Sequence, residues 1–236
     1  VGILGRNEKL ATERAAAINK NGGNAIALIA DVTNEQQLIE AKNKMVGHFG
    51  KIDGLVNGAG GNIAGAVVAP EQSVFKLDFN AFRQVFELNL FGTMLPTQVF
   101  GEEMAKQKGG TIVNISSMTA QRAVTKVLGY SLAKSAVDCY TKWFAVELGK
   151  RYGDNIRMNA IAPGYFLTEQ NRALLANPDG SMTARGSLVI NNTPYGRFGH
   201  PSELVGALVW LLGDASKFVT GTVINVDGGF SIFSGV

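Results

Sequence analysis

Gly110-Thr-Ile-Val-Asn-Ile-Ser-Ser117 and, thirteen residues after its last serine, Tyr130-Ser-Leu-Ala-Lys134 form the stretch on which the fold reading turns. The first part is a short, unbroken apolar run closed by two hydroxyls, the pattern of a strand buried on both faces. The second sets a phenol and an ammonium four residues apart, hence one above the other on one face of a helix. A buried strand followed by such a helix reads as one unit of a parallel α/β sheet. The pair also carries chemistry. A free phenol ionises near pKa ~10, and a cation one helical turn away favours the ionised form. Such pairs also occur by chance on solvated helices, so the surrounding chain has to decide.

Working outward, the same alternation recurs. Val1–Leu4 reads as a strand and Glu8–Asn21 as a helix stopped by Gly22-Gly23. Ala25–Ala30 is a short apolar run ending at Asp31, and Asn34–Phe49 an amphipathic helix capped by Thr33 or Asn34. Strand Ile52–Val56 closes on Asn57-Gly-Ala-Gly-Gly61. After a stretch over 62–77 come a long helical segment from about Phe79 to Lys108, the strand quoted above, and a helix from about Tyr130 to Tyr152. Strand Ile156–Ala162 ends at Pro163-Gly164, and a polar segment, 165–199, leads to helix Ser202–Leu212 and strand Thr222–Val226. This predicts one α/β domain over residues 1–236, a doubly wound parallel sheet in a Rossmann-like three-layer sandwich.

In such sheets ligands lie at the carboxyl ends of the strands. That rule selects Gly5/Arg6, Asp31/Val32, Asn57–Gly61, Ser116/Ser117 and Pro163/Gly164, with Tyr130 and Lys134 opening the helix after one of them. The convergence favours a functional reading of the Tyr/Lys pair.

Composition narrows the classes. The 236 residues are 46% hydrophobic with 29 Gly and 6 Pro, which suits a packed α/β protein and argues against disorder. The net charge of +3 is carried without a dense basic block, so a nucleic-acid partner is not expected. No apolar run reaches the ~18 residues of a membrane span. The single cysteine, Cys139, fits a reducing compartment, and a cytoplasmic location is expected. His48 and His200 stand alone, without Cys or acidic neighbours at ligand spacing, so no metal site is expected.

Asn57-Gly-Ala-Gly60 after a strand, Asn89 in the long helix, Ser117, Tyr130-x-x-x-Lys134, Pro163-Gly-x-x-x-Thr168 and Asp227-Gly-Gly229 together resemble the short-chain dehydrogenases/reductases over essentially the whole chain. The family begins with a strand and a Gly-rich turn that binds the cofactor pyrophosphate. Here the chain opens at what corresponds to the second strand. The resemblance therefore implies that one strand–helix unit of roughly 30–40 residues lies outside the chain as given. That unit is central in a 3-2-1-4-5-6-7 sheet, so a protein truly without it is expected to fold poorly. The later part looks like the D-mannonate oxidoreductase (fructuronate reductase) group, in Leu90–Phe100, Asn192–Gly199 and Asp227–Val236.

The resemblance implies the following roles. Tyr130 is the general acid/base, and Lys134 lowers its pKa and binds the nicotinamide ribose. Ser117, favoured over Ser116 on spacing, hydrogen-bonds the substrate oxygen. Asn89 holds a water in a proton relay through Lys134. Asn57, Ala59 and Gly60 let backbone approach the cofactor, Asp31 and Val32 contact its adenine, and Pro163, Gly164 and Thr168 lie on its nicotinamide and pyrophosphate side. Gly5-Arg6-Asn7 lacks the carboxylate that binds a ribose 2′-hydroxyl, and Arg6 can hold a 2′-phosphate, so NADP(H) is favoured and NAD(H) remains possible. For an anionic sugar acid the candidate cations are Lys126, Arg172 and Arg185, while Gln170, Asn171, Asn191 and Asn192 in the 165–199 lid offer groups for hydroxyls.

The expected activity is interconversion of a keto sugar acid and its hydroxy form, D-fructuronate and D-mannonate foremost. A polyol, a ketogluconate or a 3-oxoacyl thioester is the alternative substrate, and a non-catalytic cofactor-binding regulator is the alternative of another class. The apolar tail Phe230–Val236 is expected to pack on a neighbouring subunit, as in a homotetramer or dimer.

Overall fold

The computed structural model describes residues 1–169 and 171–235. Its elements follow the predicted alternation: β1 (Gly2–Gly5), α1 (Glu8–Lys20), β2 (Ile26–Ile29), α2 (Glu35–Phe49), β3 (Gly54–Asn57), α3 (Phe79–Phe86), α4 (Gly92–Lys106), β4 (Gly110–Ile115), α5 (Leu128–Tyr152), β5 (Ile156–Pro163), α6 (Arg172–Leu175), α7 (Ala184–Asn191), α8 (Val205–Leu212) and β6 (Val223–Val226). Helix starts are set by short polar caps. Asn7 accepts from the Leu10 amide at 3.0 Å, Asn34 from Gln37 at 3.1 Å, and Asp78 from Asn80 and Ala81. Asn34, not Thr33, caps α2.

Every strand pairing is parallel, but the ladder is in two pieces. β1 and β2 form a two-stranded sheet, and β3-β4-β5-β6 form a four-stranded one. The interruption falls between β1 and β3, where the family resemblance places another strand. The two sheets nevertheless share a core. Leu28 of β2, Ala30 just after it, and Leu38 and Ala41 of α2 pack with Val99, Phe100 and Met104 of α4 and with Ile112 and Met158 of the larger sheet. β4 and β5 are buried almost throughout, as their unbroken apolar runs require.

The long segment expected as one helix over 79–108 is broken. α3 passes through a π-turn at Glu87–Phe91 before α4 begins, and Asn89 sits in that turn. No helix among the described residues is long and apolar enough to cross a membrane.

Candidate active site

The carboxyl end of β4 and the first turns of α5 make the centre of the site. Three consecutive residues leave β4 with different tasks. The Ile115 carbonyl accepts from Lys134 Nζ at 2.7 Å. The Ser116 hydroxyl donates to the Asp138 carboxylate. Ser117 turns its hydroxyl into a short 3-10 turn, where it accepts from the Thr119 amide at 3.2 Å and the Thr119 hydroxyl at 3.1 Å. Ser116 is thus occupied by α5, which leaves Ser117 as the hydroxyl beside Tyr130.

Lys134 is 3% exposed, and its ammonium lies 5.6 Å from the centroid of the Tyr130 ring. Burial pulls the Lys134 pKa down to about 8, with the Asp138 carboxylate opposing the fall. Burial also pushes the Tyr130 phenol above its ordinary value, and the nearby Ser117 hydroxyl offsets part of that rise. The phenol is thus raised where a fall was expected, because it is packed among apolar side chains, and the proton stays on Tyr130 at neutral pH.

Asn89 is fully buried and its amide is filled. It donates to the carbonyls of Val85 and Gly61, both at 2.8 Å, and accepts from the Gly61 amide at 3.0 Å. Asn89 therefore pins the β3 turn with both amide hydrogens, and a water would meet it only at an acceptor oxygen. The turn it pins is tight. A Cβ on Gly60 would stand 2.7 Å from Asn89 Oδ1 and 3.2 Å from Lys134 Nζ. The Asn57 amide is likewise internal, donating to Thr97 and Asn114, so only the backbone of Asn57–Gly60 and the half-buried Ala59 remain to face a ligand.

At the other sheet, Arg6 and Asp31 form an ion pair at 3.5 Å with the arginine side chain 73% exposed. Hydrogen bonds from the Thr33 amide and hydroxyl, with Arg6 adding to them, hold the Asp31 carboxyl below its usual range. Val32 packs closely on Gly92 at the start of α4, where a Cβ would meet Val32 Cγ2 at 2.8 Å. On the far side, Pro163 ends β5 opposite Val226, and Gly164 donates to the Val226 carbonyl at 2.9 Å.

The 165–199 segment places the remaining candidates unevenly. The Thr168 amide and hydroxyl donate to Asn171 Oδ1 at 2.8 and 3.2 Å, and Asn171 donates to Phe166 O at 2.7 Å. Asn171 thus organises the loop and, among the described residues, keeps one amide hydrogen uncommitted. Asn192 donates to the Leu188 carbonyl of α7. Arg172 and Lys126 are exposed, and Gln170 lies outside the described residues. Lys126 is held in a left-handed conformation, φ 73°, with its carbonyl accepting from the Val68 amide at 2.9 Å. Arg185, half-buried, lies beside the Tyr165 hydroxyl, which burial pushes up and the guanidinium pulls back.

The tail folds on its own chain. Phe230 stacks edge-on against Tyr165 at 5.3 Å, and the Phe233 carbonyl accepts from Arg122 at 2.8 Å, while Ile232 stays exposed. A cleft of about 530 Å3 between α2, α4 and α5, lined by Glu35, Lys42, Glu102 and Tyr152, lies toward the far end of α5 and is not part of this site.

For a dinucleotide, the donor set fits at both ends: a carboxylate and a guanidinium at β1–β2, and a buried ammonium with free hydrogens beneath the glycine turn of β3. The described residues contain no Gly-rich strand-to-helix turn for a pyrophosphate. Asp138 and Tyr165 are not singled out by the sequence, and Phe230 enters only as part of the apolar tail. For Asp138 the four-residue spacing from Lys134 was the available signal.

A family model described as enoyl-(acyl carrier protein) reductase matches residues 1–231. An uncharacterized oxidoreductase of Bacillus subtilis is 43% identical over the whole chain and 87% of its own length. The 2-dehydro-3-deoxy-D-gluconate 5-dehydrogenase of Dickeya dadantii is 33% identical over 98% of the chain and 84% of its length. A crystal structure from Haemophilus influenzae, assigned as a D-mannonate oxidoreductase and holding NAD, superposes with TM-score 0.93 at 42% identity, covering 100% of this chain and 87% of that one. A gluconate 5-dehydrogenase from Burkholderia cenocepacia, in complex with NADP and tartrate, gives 0.83 at 32% identity over 98% and 84%. With its strand order, its Tyr/Lys helix and these likenesses spanning its length, the chain belongs to the short-chain dehydrogenases/reductases, a family of oxidoreductases.

Proposed function

We propose that the protein is an NAD(P)-dependent oxidoreductase that interconverts a keto sugar acid and its hydroxy form, most directly D-fructuronate and D-mannonate. The observation that carries the reaction type is the meeting of the Tyr130 phenol, the Ser117 hydroxyl and the Lys134 ammonium at the end of β4. Whole-chain likeness to the protein assigned as a D-mannonate oxidoreductase supports the substrate.

When bound, the nicotinamide supplies or accepts the hydride. Tyr130 gives its proton to the forming alkoxide during reduction and takes it back during oxidation. Its burial favours the protonated acid, the form that reduction needs. Ser117 donates to the substrate oxygen as charge develops there. Lys134 has spent one donor on Ile115 and turns the others toward the nicotinamide ribose. Asn89 serves as a positioning residue that holds the Gly60–Gly61 turn against Lys134. Arg6, Asp31 and Val32 take the adenosine end, and Pro163, Gly164 and Thr168 border the nicotinamide end. Arg185 is the cation best placed for the substrate carboxylate, being half-buried at the Tyr165 strand end, with Lys126 and Arg172 at the rim.

Arg6, and the absence of a carboxylate in Gly5-Arg6-Asn7, favour NADP(H). The NAD in the Haemophilus structure supports NAD(H) as the second reading. A cytoplasmic homotetramer or dimer belongs to the same proposal, supported by exposed Leu132, Trp143 and Val146 along α5.

The test is a panel of fructuronate, 5-ketogluconate and acetoacetyl thioester with NADPH and NADH. The proposal expects the highest kcat/KM with fructuronate. Preference for ketogluconate, as in the gluconate dehydrogenase relatives, or for the thioester would move the substrate and keep the reaction. No turnover with any of them, alongside measurable NAD(P)H binding, would favour a regulator.

A further inference from the structure

Tyr130, Lys134, Asp138 and Lys142 follow one another at four-residue spacing along α5, a single stripe running from the candidate site outward to solvent. Asp138 is the buried member that the proposed reaction does not use. It is 8% exposed, a carboxylate taken almost wholly out of water, and such a group persists only with specific partners. The Ser116 hydroxyl donates to it from β4, one residue beyond the carbonyl that receives Lys134 and one before Ser117. Lys134 faces it from the inner side of the stripe, Lys142 from the outer side, and Gln121 from the turn after Ser117. Lys134 itself is faced by Tyr130 on its own helix, by the Ile115 carbonyl of β4 and by the Gly60 turn of β3, none of which carries a negative charge. Asp138 is thus the carboxylate that faces the buried ammonium.

We propose that Asp138 is a positioning residue: it keeps Lys134 in its charged form inside a dry site and, through Ser116, locks the end of β4 on α5 so that Ser117 meets Tyr130. The assignment of Ser117, Tyr130 and Lys134 to catalysis rests on the proposed function, whereas the charge on Lys134 does not. Asp138 opposes the desolvation of Lys134, while burial pushes the Asp138 carboxyl up and its partners, Ser116 first, pull it back. The two groups stand one helical turn apart without direct contact, so the attraction acts across a dry space in which little water screens it.

The ionisation of Lys134 can be read without turnover by competitive labelling with acetic anhydride, since only the neutral amine reacts, with modification at Lys134 followed by mass spectrometry from pH 6 to 10. Asp138→Asn keeps the shape and an acceptor for Ser116 but removes the charge. The labelling midpoint of Lys134 is expected to fall by about one pH unit in that variant. Ser116→Ala and Asp138→Glu keep the carboxylate and should leave the midpoint in place. In turnover assays, Asp138→Asn should lose its alkaline limb at correspondingly lower pH and regain activity as pH falls. An unmoved midpoint in Asp138→Asn would overturn the proposal, as would an equal shift in Ser116→Ala, which would make the contact merely a tie between strand and helix. Should Asp138→Asn fail to fold, a lowered midpoint in either of the other two variants overturns it just as well. A midpoint shift as expected in a protein that reduces nothing in the substrate panel would sink the functional reading and leave the role of Asp138 standing.

Discussion

The side-chain amide of Asn57 donates to that of Asn114 at 2.9 Å, where the two residues are paired in register across β3 and β4. Thr97 of α4 accepts from Asn57 and Thr141 of α5 accepts from Asn114, so two helices and two strands close on one buried polar chain. Asn57→Ala should cost about 1–3 kcal/mol by stranding Asn114 and Thr97, seen as a lower urea midpoint. Combined with Asn114→Ala, the loss should be clearly less than additive.

Tyr130→Phe removes only the hydroxyl. Turnover should drop by about 10²–10⁴-fold or more while the melting temperature stays within a few degrees. Substantial residual activity would remove Tyr130 from the proton transfer.

Lys134 binds its proton less tightly in the fold, at about 8, than in the unfolded chain, at 10.5. Between those values the unfolded state holds the extra proton, so this group makes stability rise with pH, and below about pH 8 its burial penalty is fully present. Comparing urea unfolding of the protein with Lys134→Met, the difference should move in favour of the native lysine by on the order of 3 kcal/mol from pH 7.5 to 10.5. A difference that stays flat would show that the ammonium is not desolvated.

Arg6→Ala should lower kcat/KM for NADPH by about tenfold and leave NADH almost unchanged, because the guanidinium is the group at β1 able to pair with a 2′-phosphate. A wild-type preference for NADH would decide against NADP(H).

Gly60→Ala drives a methyl against Oδ1 of the Asn89 side chain, whose amide three hydrogen bonds hold in place, and against Lys134 Nζ. The substitution should cost about 1–3 kcal/mol and weaken cofactor binding together with turnover. Isothermal titration and thermal unfolding on one preparation would check both.

Much of this was legible in the chain because buried parallel strands write themselves as continuous apolar runs. Ile156–Pro163 and Gly110–Ile115 lie within a residue or two of their expected limits, and the strand-end rule therefore found Ser117, Tyr130 and Lys134. The π-turn around Asn89 was not legible, since one extra residue per turn leaves no mark on apolar spacing. Nor were the internal duties of Asn57 and Asn171, which are set by partners 57 and three residues away in sequence that only the folded chain identifies. The sign of the Tyr130 shift was missed for a similar reason: spacing shows the cation, while burial is a property of the packed molecule.

Arg6, Asp31 and Val32 stand at the ends of β1 and β2, whereas Tyr130, Lys134 and Ser117 stand where β4 meets α5, and one apolar core of Leu28, Leu38, Met104 and Ile112 lies between the two groups. That core works as a ruler. A ligand touching both groups has its span gauged by close-packed side chains, so Leu38→Ala, by opening a cavity there, should weaken binding of a long dinucleotide more than of its nicotinamide half alone.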